Sequence, residues 1–137
     1  MGLNIEIPGE AVPQGRPRFN RYTGRAYDPE KSKQYKAKVQ TEAKKVAPVK
    51  PVECPVCLFI KIYRSIPKSF SKKKRQAIAD GRLLPTTKPD VSNIVKGIED
   101  ALNGVWYADD SQIVSLYAIK HYSDEPRVFI GMEAMDN

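Results

Sequence analysis

Apolar and polar residues alternate in LNIEI from Leu3, and Pro8 with Gly9 ends the run, so the chain opens on a half-buried strand. Ala11 to Pro29 has no such period. Its prolines and glycines predict a loop without regular structure, loaded with Arg16, Arg18, Arg21 and Arg25. From Glu30 to Val46 the pattern is helical, with Tyr35, Val39 and Ala43 at i, i+4 and i+8 and Pro48 as the stop. Pro55 to Tyr63 is apolar and β-branched, which predicts a central strand. Ser71 is placed to cap a short basic helix, KKKRQAIAD, closed by Gly81.

After the loop LLPTTKP, Asp90 takes the N-cap position of VSNIVKGIEDALN, a helix that Gly104 ends. Val91, Ile94, Val95, Ile98, Ala101 and Leu102 form one apolar stripe, which predicts packing on a sheet with Asn93, Lys96 and Asp100 facing away. Gln112 to Tyr122 and Arg127 to Ala134 read as a hairpin around SDEP. The order β, loop, α, β, α, α, β, β predicts an α+β fold, a small mixed β-sheet of about four strands with helices packed on one face. A length of 137 residues fits a single domain, 1–137.

The charge balance changes this picture. Lys and Arg number 23 against 16 Asp and Glu, leaving a formal charge of +7, which suits a polyanionic partner. No run approaches the roughly 20 apolar residues that span a bilayer. The start MGLNIEIPGE lacks the basic and then apolar pattern of a signal peptide, so the expectation is a cytoplasmic protein without a membrane partner. Cys54 and Cys57 have CxxC spacing, yet no second CxxC or His pair completes a zinc site, and the only histidine is His121. Two reduced, partly buried thiols are expected.

Acids gather between Lys88 and Tyr122, where Asp90, Asp100, Asp109 and Asp110 interrupt an otherwise basic chain. Alone, Asp90 reads as a helix cap contributing roughly 0.5 to 2 kcal/mol, and the Asp109–Asp110 pair as a solvated turn. Carboxylates that repel a phosphodiester make sense together if they hold a divalent cation, since Mg²⁺ takes oxygen ligands and bridges to phosphate. A helix of roughly 20 Å and a link from Gly104 of similar reach allow Asp110 to approach Asp90 within one chain or across a dimer interface. Lys96 reads either as a solvated charge or as a contact to phosphate. Arg16 and Arg18, with Phe19 and Tyr22 nearby, suit clamping a DNA backbone and stacking on bases, or a plain solvated loop. The run KSFSKKKRQ places basic charge at a helix start, which an anion would relieve. Trp106 and Tyr107 are assigned to packing, including at a dimer contact.

These residues carry a resemblance. KPDVSNIVKGIEDALNG followed by ADDSQI resembles the signature of RusA-type crossover junction endodeoxyribonucleases, KPDxDNLxKxxxDALNG followed by DDxQI. The opening GRPRFNRYTGRAYDP also resembles that family's basic N-terminal region. The resemblance implies a metal-dependent endonuclease, a homodimer that resolves four-way DNA junctions (Holliday junctions) by paired symmetric nicks in bacterial or prophage recombination and repair. It implies Asp90, Asp110 and Lys96 as catalytic residues. Asp90 and Asp110 would hold Mg²⁺, with Mn²⁺ as a substitute, and Asp109 and Ser92 are further candidate ligands. Arg16, Arg18, Arg21, Arg25, Lys88 and Lys96 would contact DNA, and no organic cofactor is expected. Ser92 replaces the second acid of the family's DxDN, which removes one negative charge. Two rival readings follow: a DNA-binding module with weak or lost cleavage, and a basic RNA- or ribosome-associated protein.

Overall fold

The computed structural model describes residues 1–15, 18–19, 26–27 and 30–135. Strand β1 (Gly2–Pro8) buries Ile5 and Ile7 and ends at Gly9, whose φ of +95° is one a glycine adopts without strain. Within the basic segment, β2 (Arg18–Phe19) pairs antiparallel with β3 (Ala26–Tyr27). This corrects the expectation of a stretch without regular structure. The prolines and glycines that argued against pairing flank the four paired residues and occupy none of them.

Helix α1 (Glu30–Val46) has the bounds its sequence predicts, and Tyr35, Val39 and Ala43 form its buried stripe together with Ser32. In β4 (Val56–Ser65) Val56, Leu58, Ile60 and Ile62 are buried while Phe59 and Lys61 are exposed. Ser71 caps α2 (Lys72–Ala79) by accepting from the Lys74 amide at 3.2 Å. That helix buries no residue, so among the described residues the helices that cover the sheet face are α1 and α3 (Val91–Leu102). An eight-residue helix with four basic side chains offers too little apolar surface to pack. Its preceding segment is instead tethered by Phe70, which meets Tyr122 edge-on at 5.5 Å.

The sheet is completed by β5 (Ile113–Ser123) and β6 (Arg127–Ala134), in the order β1-β6-β4-β5. β4 and β5 run parallel and the other neighbours antiparallel, so the sheet is mixed. The expected β5–β6 hairpin does not form, because β4 lies between them. Three residues, 124 to 126, cross the end of β4, a step of roughly 10 Å that extended chain spans. Burial explains the order. β6 has Val128, Ile130 and Met132 to bury between two neighbours, whereas β5 carries Lys120 and His121 and takes the edge.

Trp106 and Tyr107 are wholly buried, so they are packing residues of this subunit and present no surface for a dimer contact. The Trp106 indole donates to the Ala43 carbonyl at 3.0 Å and the Tyr107 hydroxyl to the Glu99 carbonyl at 2.8 Å. These bonds join α3 and the following turn to α1. Cys54 and Cys57 are free and half-buried, as expected.

Candidate active site

Asp90 occupies the N-cap position of α3, with φ −72° and ψ 144°, but its side chain makes no cap hydrogen bond. The reading of Asp90 as a cap alone is therefore incorrect. Its carbonyl accepts the Ile94 amide at 3.2 Å, while the carboxylate lines a cavity with Lys88, Asn93 and Arg64. Lys120 holds this entry to the helix, its ammonium donating to the Thr87 and Pro89 carbonyls at 2.8 and 3.1 Å.

A second acidic group forms further along α3. The Lys96 ammonium stands 3.5 Å from Asp100 and 3.9 Å from Asp110, and Lys36 from α1 reaches Asp100 at 3.7 Å. The Gln14 amide donates to Asp100 at 3.4 Å. Gln14 lies over Gly97, in the contact range that joins the segment after β1 to α3. Burial raises the proton affinity of Glu99; Lys96 opposes this and the nearby Asp110 and Asp100 reinforce it. Glu99, Asp100 and Asp110 set three carboxylates around Lys96 and Lys36.

Asp109 is used differently. Its carboxylate accepts the Ser111 amide at 3.1 Å while the Gln112 side chain accepts the Asp109 amide at 2.8 Å, a reciprocal cap on the turn Asp110–Gln112. The hydrogen bonds from Ser111 hold its carboxyl below the usual range. Gln112 also donates to the Val52 and Cys54 carbonyls at 2.8 and 2.9 Å. The DDSQ spacing therefore anchors the turn that presents Asp110 to Lys96.

Asp90 and Asp100 are ten residues apart, about 15 Å along a helix, so these two acids stand at different ends of α3, while Asp110 meets the helix at Lys96, between them. Among the described residues, no set of three or more His, Cys, Asp or Glu side chains surrounds one point. The donors are all hard oxygens with excess negative charge, and in that chemistry they fit Mg²⁺. Ser92 is exposed, one turn before Lys96 on the same side of α3. Arg16, Arg21 and Arg25 lie outside the described residues, as does the side chain of Arg18.

Lys36, Gln14, Glu99 and Arg64 did not emerge from the sequence reading. Each comes from a different element, apart from Glu99, which sits between the apolar stripe and Asp100 without a motif to mark it. Lys36 had one signal, its place beside the buried Tyr35 of α1.

The family profile described as Endodeoxyribonuclease RusA matches residues 8–133. A relative from Bacillus subtilis (strain 168), described as the uncharacterized protein YqaN, is 47% identical over 130 residues, which cover 92% of each chain. The matched range contains Asp90, Lys96, Asp110 and the basic segment after β1. With nearly its whole length matched, the chain belongs to the RusA endodeoxyribonuclease family.

Proposed function

We propose that this RusA-family endonuclease cuts Holliday junctions by paired symmetric nicks that depend on a divalent cation. The observation that carries the reading is the Asp90 carboxylate, which sits at a helix N-terminus, forgoes a cap bond of roughly 1 kcal/mol and has no partner among the described residues. Asp90 and Asp110 would hold the cation, with Ser92 as a neutral neighbour. Bound Mg²⁺ or Mn²⁺ would supply charge neutralisation at the scissile phosphate and a more acidic water. Lys96, already paired to Asp110, is positioned to stabilise negative charge on the phosphate. Arg16, Arg18, Arg21, Arg25 and Lys88 would engage the DNA backbone, which favours recognition of branched shape over sequence.

A four-way junction has two-fold character, which suits a symmetric dimer. We place the contact on β5, the sheet edge, where Val114, Leu116 and Tyr117 are 61%, 48% and 50% exposed. The family supports a role in DNA recombination, and we infer a role in repair and a cytoplasmic address.

A synthetic mobile four-way junction tests the reading. Paired nicks are expected with Mg²⁺ and none with EDTA, and Asp90→Asn or Asp110→Asn should abolish them. Binding without nicks under all metal conditions would favour a junction-binding module, a second reading that the serine at position 92 supports. Activity indifferent to both substitutions would favour an RNA- or ribosome-associated role.

A further inference from the structure

We propose that Arg64 binds a backbone phosphate of the DNA strand and that the cavity beside it seats the nucleotide carrying that phosphate. The inference rests on the nuclease reading, and nothing in the family motif points to Arg64.

The cavity has a volume of about 410 Å³, within the range of small-ligand sites. It lies between the carboxyl end of β4, which carries Arg64, and the amino end of α3, which carries Asp90 and Asn93. Arg64 and Lys88 stand on its walls with Asp90, and the Glu10 partner of Arg64 brings the local charge to zero, so what the walls offer an anion is placed N–H donors rather than net charge. Pro13 and Pro89 give flat apolar surface suited to a sugar or base, and Asn93 adds an amide.

Arg64 is held for this role. Its guanidinium meets one oxygen of Glu10 at 2.8 Å, while the other oxygen accepts the Ser65 amide at 2.9 Å. One carboxylate thus fixes both the backbone and the side chain at the end of β4. A guanidinium anchored on one side keeps a planar fork of donors for a phosphate, and its orientation is paid for before binding. Opposite it, the Lys120 bonds to Thr87 and Pro89 hold Lys88 and Asp90 in place. The arrangement puts a phosphate site next to the acid proposed to hold the cation.

The test measures binding of a synthetic four-way junction across a salt series without divalent cation, together with nicking in Mg²⁺ and the melting temperature of each variant. Arg64→Gln is expected to weaken binding about tenfold and to reduce the salt slope by about one. Arg64→Lys should keep the slope and slow nicking, because a point charge lacks the fork. An Arg64→Gln protein that melts like wild type and keeps both affinity and slope overturns the proposal. Should that variant not fold, neutral methylphosphonates placed singly along the junction decide. One position is expected to cost wild type about tenfold and Arg64→Lys less, and equal costs in both proteins at every position overturn it. If wild type never nicks yet Arg64→Gln still lowers the slope, the nuclease reading fails and the phosphate site stands. If wild type nicks and the Arg64 variants match it, the site fails alone.

Discussion

The ammonium of Lys96 lies 3.9 Å from the carboxylate of Asp110, joining the middle of α3 to the turn that precedes β5. The Lys96 side chain is 56% exposed, and pairs this exposed contribute at most about 1 kcal/mol to stability. Its stability role is therefore small. Lys96→Gln should leave the melting temperature within a few degrees of wild type while slowing single-turnover junction cleavage by about 100-fold or more, the usual loss when one electrostatic stabiliser is removed. Cleavage at the wild-type rate would remove Lys96 from the chemistry.

Ser92 stands one helical turn before Lys96 at a position where the family motif has an acid. Ser92→Asp restores a charged oxygen donor, so titration calorimetry should show tighter Mg²⁺ binding than in wild type. Equal or weaker affinity would mean that position 92 does not face the cation.

Tyr35 is buried to 8% exposure, and its hydroxyl has no partner among the described residues. Burial pushes its proton affinity up from the ordinary 10.0. Removing an unsatisfied hydroxyl relieves a desolvation cost, so Tyr35→Phe is expected to gain about 1 kcal/mol in urea denaturation at neutral pH. The wild-type contribution from a protonated Tyr35 is full below pH 10 and is lost as pH rises beyond it, because the unfolded tyrosine ionises first. The substituted protein should lose stability less steeply above pH 10. Tyr107, raised chiefly by burial, keeps part of the slope in both proteins. A destabilised Tyr35→Phe would show that the hydroxyl is satisfied in solution.

The free edge of β5 exposes Leu116 at 48% although its strand partner Leu58 is buried. Wild type should sediment as a dimer at the concentrations that support cleavage, and Leu116→Lys as a monomer with an unchanged circular dichroism spectrum. Dimers that survive Leu116→Lys would move the contact elsewhere on the molecule.

Much of the fold was legible because its signals are local. The period of Tyr35, Val39 and Ala43 set α1, Ser71 and Gly81 bracketed α2, and the stripe from Val91 to Leu102 identified the buried face of α3. The order of the last two strands was not legible. A short SDEP link resembles a hairpin turn, and only the competition for burial between β5 and β6 separates them. The same division holds at the site. Asp90, Lys96 and Asp110 stood out through the resemblance of their motif, whereas the missing cap bond of Asp90 and the cap made by Asp109 depend on backbone geometry.

By itself the sequence determined the helices, the apolar strands, the basic character and the membership of Asp90, Lys96 and Asp110 in one motif, since each is written in neighbouring residues. Only the tertiary structure decided that Lys36, Gln14 and Asp100 meet, that Glu10 grips Arg64, and that β4 runs between β5 and β6. Those contacts join residues far apart along the chain, and they arise from how apolar faces share one core, which no local pattern encodes.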